Sequence, residues 1–297
     1  MRETIKGIPV CPGPDQNPIA PSFEVPIGAV DCHAHIFGPE SKYPYSPARG
    51  YTPPDASLAS FHQLHEVLGI NRAVLIQPSV YGTDNSAMLD AVAQSQGNLL
   101  AVAAVGEEVT SEELERLHQS KVRGVRINLV DKGGMPFSSI DSVRRLTQRI
   151  EPYGWHLEVL IHVHQFPDLA EIVDSMAVDV VVGHLGYMKT SESIANPGFQ
   201  DFLELLKLGK TWVKLCGSYR ISVEEQAPYA DVIPFAQALI TTAPDRIIWG
   251  SDWPHPSFWG NMPNDGVLFD QLVNWAPTQE VRNKILVTNP NKLYGFG

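Results

Sequence analysis

Apolar residues along this chain gather into short Val-, Ile- and Leu-rich runs. Each run is followed, after a turn, by a longer stretch in which apolar positions recur every third or fourth residue. The runs lie at residues 30–35, 73–77, 100–105, 124–128, 156–162, 179–184, 211–216 and 247–252. Amphipathic stretches at 58–68, 86–95, 111–119, 140–150, 169–176, 198–208 and 229–242 alternate with them, and two more follow the last run. Short runs that stay apolar on both faces predict parallel strands covered by right-handed crossover helices. Eight such units predict a single α/β domain closed as a (β/α)8 barrel of the TIM type over residues 27–297. Residues 1–26, with Pro9, Pro12, Pro14, Pro18, Pro21 and Pro26, read as an extended arm whose simplest task is to cover the barrel bottom. Residues 37–57 carry Pro39, Pro44, Pro47, Pro53 and Pro54, and their length and stiffness suit a lid.

In such a barrel the chemistry sits where the strands end. The first run ends in His33 and His35, which as i and i+2 on a strand project to one side. The second ends in Gln77 and Ser79, and the fourth in Arg126 and Asn128. The fifth ends in His162, with His164 beyond it, and the sixth in His184. The seventh ends in Ser218, Tyr219 and Arg220, and the eighth in Asp252. About half of the chain's ten histidines therefore gather on one rim. Imidazole and carboxylate suit zinc, so His33, His35, His184 and Asp252, with His162 as a further imidazole, form a candidate metal set. Without metal the same histidines can hydrogen-bond a carbonyl oxygen as an oxyanion hole does. His62, His65, His118 and His156 fall away from the rim and read as structural. Cys32, by alternation with His33, is placed towards the helix layer, and Trp249 and Trp253 read as core.

Charge narrows the partners. The 22 basic and 33 acidic residues leave a net charge of −11, which argues against nucleic acid and anionic membranes. An anionic substrate would need cations concentrated at the site. Three cysteines are too few and too scattered for a disulfide framework or a Cys zinc site. With no apolar leader or membrane-length run, a cytoplasmic enzyme is the expectation.

Several segments then point to one family. They are Gly28-Ala-Val-Asp-Cys-His-Ala-His-Ile-Phe-Gly-Pro39, Gln77-Pro-Ser-Val-Tyr-Gly-Thr-Asp-Asn85, Arg123-Gly-Val-Arg-Ile-Asn128, Gly183-His-Leu-Gly186, Trp249-Gly-Ser-Asp-Trp-Pro-His-Pro256 and Val287-Thr-Asn-Pro-Asn-Lys-Leu-Tyr294. Together they resemble the lactonase branch of the amidohydrolase superfamily. The resemblance implies a hydrolase opening a small anionic lactone, of the 4-sulfomuconolactone or 2-pyrone-4,6-dicarboxylate type, in bacterial breakdown of aromatic compounds. It implies water attack on the ester carbonyl with Asp252 as general base and His33, His35 and His184 holding a metal or polarising the carbonyl. Arg126, Arg220, Ser79 and Tyr51 match the branch's substrate-binding pattern, and His255 is a further candidate. The chain departs from the dicarboxylate pattern in carrying Lys132, Tyr187 and Leu160 where that pattern has two arginines and a tyrosine. A lysine point charge in place of a planar fork favours a differently shaped anion, such as a sulfonated lactone. The superfamily includes zinc enzymes and a lactonase that is metal-free, so both readings stand at this point. So do a metal-dependent decarboxylase of an aromatic acid and a non-catalytic ligand-binding barrel; a retained Asp252 argues against the last.

Overall fold

The computed structural model describes residues 3–131 and 137–296. Eight parallel strands pair in sequence order: β1 Val30–Ala34, β2 Arg72–Ile76, β3 Leu99–Ala103, β4 Val122–Asn128, β5 His156–Leu160, β6 Val180–Val182, β7 Thr211–Leu215 and β8 Ile247–Trp249. The ring closes just past the strand ends, where Asp252 N–H donates to His33 O (2.8 Å) and His35 N–H to Trp253 O (2.8 Å). Most strands are a residue or two shorter at the mouth than their apolar runs, because there the chain leaves the ladder to aim side chains inward.

The crossover helices include α1 Leu58–Leu68, α2 Ser86–Gln94, α3 Ser111–Gln119, α4 Ile140–Ile150, α5 Leu169–Asp174 and α6 Pro197–Lys207. They continue with α7 Ser218–Ile221, α8 Ile233–Thr242 and α9 Asp265–Trp275. Local chemistry sets their ends: Ser57, Thr110 and Ser139 accept the N–H three residues on, and Gly69 ends α1 in the left-handed conformation. After α9, α10 Gln279–Asn283 and α11 Asn289–Tyr294 turn under the barrel. Tyr294 packs there with Val30, Cys32, Val74, Ile76, Leu100, Val102, Val181, Trp212 and Ile248. The second, larger cluster lies between strands and helices.

Two expectations are corrected. Cys32 belongs to the barrel interior, not to the helix layer. The β1–β2 register shifts between Asp31 and Ala34, so alternation breaks and Cys32 and His33 both face inward. Asp31 faces out and ties the closure together: its carboxylate accepts from His33 N (3.1 Å), Ser251 N (2.9 Å) and Ser251 Oγ (2.6 Å), with His65 at 3.3 Å. The arm does not simply cover the bottom. Cys11 N–H donates to Thr52 O, and Trp259 Nε1–H donates to Val10 O, both on the mouth side. From there the arm descends along α9, where Ile19 N–H meets Asn264 and Ser22 N–H meets Asp270. The segment 37–57 folds over the mouth, pinned by the Phe37–Ala56 bridge, by Ser46 N–H to Val80 O and by Gly38 N–H to Tyr81 Oη. Trp249 and Trp253 are buried, as core residues should be. No helix among the described residues is long and apolar enough to cross a membrane.

Candidate active site

The site is built where β1, β6 and β8 end. His33, His184 and Asp252 each offer a ligand atom within 4.8 Å of the others, and all three are buried. Asp252 Oδ1 stands 3.7 Å from His33 Nε2 and 3.8 Å from His35 Nε2. Among the described residues neither Asp252 Oδ1 nor His33 Nε2 has a hydrogen-bond partner. The other oxygen, Oδ2, is fully engaged, accepting from Tyr219 Oη (2.5 Å) and Arg220 Nε (2.6 Å). Asp252 and His184 adopt left-handed backbone conformations (φ 62° and 49°), as do Leu185 and Tyr187. Such conformations cost about 1–3 kcal/mol each in non-glycine residues and persist where the surroundings enforce them.

Proton states follow from burial. Desolvation pushes the His184 imidazole down to about 3, and it also lowers His33 and His35. All three are neutral at ordinary pH. Burial alone would push the Asp252 carboxyl up, but the Arg220 guanidinium outweighs it and holds the group well below the usual carboxylate range. His35 has a fixed tautomer, since Nδ1 lies 2.7 Å from the Ile76 carbonyl and must donate to it. Its Nε2 is therefore a lone pair facing Asp252.

Above this floor lies a cavity lined by Tyr51, Ser79, Arg126, Asp131, Leu160, Tyr187 and Arg220 together with His35, His184 and Asp252. Arg126 spends one guanidinium nitrogen on Gln77 O (3.0 Å), and its buried Nε has no partner among the described residues, nor has Ser79 Oγ. Arg220 is committed twice, through Nε to Asp252 and through a terminal nitrogen to Pro256 O (2.8 Å).

The family model described as Amidohydrolase matches residues 30–296. The chain belongs to the amidohydrolase family. It is 39% identical over 286 residues to a 2-pyrone-4,6-dicarboxylate hydrolase of Comamonas testosteroni, covering 94% of this chain and 93% of the relative. It is 36% identical over 295 residues to a 4-sulfomuconolactone hydrolase of Hydrogenophaga intermedia, covering 99% and 97%. A crystal structure named as a "probable 2-pyrone-4,6-dicarboxylic acid hydrolase" from Acinetobacter baumannii, with citric acid bound, superposes with a TM-score of 0.79 at 27% identity. That match covers 91% of this chain and all of the other.

Of the residues singled out from the sequence of this amidohydrolase, His33, His35, His184 and Asp252 come together at the cavity floor, and Ser79, Tyr51, Arg126, Tyr187 and Arg220 reach its walls. His255 is elsewhere: wholly buried, it lies behind Tyr219 (Nδ1 to Oη 3.1 Å) and against Asp265 (3.3 Å). His162 turns Nδ1 to the Tyr187 carbonyl (2.8 Å) and stands outside the three-residue group. Lys132 lies outside the described residues. Tyr219, read from the sequence as one of the strand-end residues, holds Asp252. Two neighbours of the site were not singled out: Lys214 and Glu158 lie beneath His33, with Lys214 Nζ 2.5 Å from Glu158 Oε2. Their signal was present: one lysine and one glutamate, each in the middle of an otherwise apolar strand.

Proposed function

We infer that this amidohydrolase opens a small anionic lactone, of the 4-sulfomuconolactone or 2-pyrone-4,6-dicarboxylate type, in the breakdown of aromatic compounds. The observation that carries this reading is Asp252 Oδ1, flanked by two imidazole nitrogens under a cavity in which the buried Arg126 Nε has no partner among the described residues. A water between these groups would donate one proton towards Asp252 Oδ1 and the other towards the His35 Nε2 lone pair. Its oxygen then attacks the ester carbonyl, Asp252 takes the proton, the ring C–O bond breaks, and the proton passes to the departing ring oxygen. One water is consumed and a hydroxy acid, ionised at neutral pH, is left. Arg126 and Ser79 orient the acid group of the ring, and Tyr219 and Arg220 hold Asp252 in place.

Zinc is the cofactor suggested by the ligand types, which would be His33, His35, His184 and Asp252; bound there it would acidify a water. The charge and proton inventory fits it poorly. Arg220 already sits on one carboxylate oxygen, and Lys214, ion-paired with Glu158, brings Nζ to 3.4 Å from His33 Nδ1. The steps above therefore use the chain's own groups.

The test is to assay the purified protein on both lactones, following proton release and ring opening, with metal content measured on the same sample. Hydrolysis of at least one lactone with one proton released per ring supports the reading. Carbon dioxide release from an aromatic acid with no lactone turnover would establish the decarboxylase instead.

A further inference from the structure

A lysine, a glutamate and a histidine meet in the barrel floor, where water does not reach: Lys214 and Glu158 are 0% and 1% exposed and His33 is 1% exposed. Lys214 rises from β7 and crosses the interior to β1 and β5. An ammonium carries three protons and accepts none. Three acceptors surround Nζ: Cys32 O at 2.8 Å, Glu158 Oε2 at 2.5 Å and His33 Nδ1 at 3.4 Å. The competing arrangement, His33 Nδ1–H donating to Glu158 Oε1, would span 3.6 Å. It would also leave one lysine proton without an acceptor, a costly state in a dry interior.

We propose that Lys214, anchored by Glu158, is a positioning residue that fixes His33 as the tautomer protonated at Nε2. The strand-one pair then presents opposite faces to the same point: His33 Nε2–H as a donor and His35 Nε2 as an acceptor, both beside Asp252 Oδ1. That asymmetry suits a water, which accepts from one imidazole and donates to the other. It opposes a divalent cation, which needs a lone pair on both. The buried ion pair thus explains why a His-x-His motif of metal-binding appearance serves as a hydrogen-bonding pair. The proposal rests on the lactone-opening reading only for its effect on rate.

The test is a long-range proton–nitrogen NMR spectrum of the 15N-labelled imidazoles, with His33 identified by its loss in His33→Asn. Wild type should show His33 bare at Nδ1 and protonated at Nε2. In Lys214→Met the pattern should reverse, with Nδ1–H turned to Glu158. In that variant kcat should fall by about tenfold or more with KM little changed, the pattern of a lost transition-state contact. The variant should also retain more zinc per chain than wild type after equilibration with the metal and dialysis. If Lys214→Met does not fold, Lys214→Met with Glu158→Gln removes both charges together and should still lose the Nε2–H form. Wild-type His33 protonated at Nδ1, or a tautomer unmoved by loss of Lys214, overturns the proposal. The expected tautomer shift in a protein that opens no lactone would remove the assigned reaction and leave the lysine's role standing.

Discussion

The two oxygens of Asp252 do different work. Oδ2 is held by Tyr219 and Arg220, which fix the carboxylate's angle and keep it ionised, while Oδ1 is free to take a proton. Asp252→Asn keeps the shape and removes the base, so kcat should drop by about 10²–10⁴ with the circular dichroism spectrum unchanged. More than about a tenth of wild-type kcat in that variant would falsify the base assignment. The two arginines of the cavity should separate in the same kind of experiment. From the sequence alone both read as grips on the substrate's acid groups, yet the structure commits Arg220 to Asp252 and Pro256 and leaves Arg126 Nε without a partner among the described residues. Truncating Arg126 should raise KM for an anionic lactone by about tenfold or more, since a charge-assisted hydrogen bond contributes roughly 1.5–3 kcal/mol, and should leave a neutral lactone little affected. Truncating Arg220 should lower kcat on both. Parallel kcat/KM losses from the two substitutions, across both lactones, would show that the arginines do one job and not two.

At the scale of elements, the site depends on how β1 meets β8. Gly250, one residue past β8, lies so close to β1 that a Cβ there would stand 2.5 Å from His33 Cβ and 2.7 Å from His33 N. Gly250→Ala must push the two strands apart where Asp252 N–H bonds His33 O. Overpacking of this kind costs about 1–3 kcal/mol, so Tm should fall by several degrees and kcat should fall with it. Gly106→Ala is the control, because a Cβ there meets nothing within 4 Å. Equal effects from the two would mean that the β1–β8 contact does not set the site. The elements themselves were legible in the sequence: the stretches 58–68, 111–119 and 140–150 coincide with α1, α3 and α4, whose caps and apolar spacing are local signals. The inward face of Cys32 was not, because a register shift arises from pairing with β2 and leaves no mark on β1 alone. The course of the arm was illegible for the same reason, since Thr52, Trp259 and Asn264, which hold it, lie far along the chain. Of the site, the residues at strand ends could be read from position. The role of Lys214 could not, because its partners sit on two other strands.

The whole molecule places a polar floor inside a closed apolar barrel, and acid should expose that arrangement. His156 opens β5 beneath the ion pair, 2% exposed and in ring contact with Tyr294 at 5.2 Å. Burial, reinforced by the Lys214 ammonium, pushes its imidazole down to about 3. In the unfolded chain the same group titrates near about 6.5. Between those values the unfolded state binds a proton that the folded state refuses, so stability falls as pH drops through this window and is fully present above it. The buried imidazoles of His33, His35 and His184 are lowered in the same sense and add to the slope. Tm should therefore decline steadily from about pH 6.5 to 4.5, before most carboxylates begin to titrate. His156→Gln removes one titrating group from that total. The variant should start from a lower Tm at pH 7.5, because the site loses packing, yet fall less steeply as the pH is lowered. Thermal melts of both proteins at half-unit pH steps decide it: parallel curves would mean that His156 takes up its proton in the folded barrel, and that the floor is open to water.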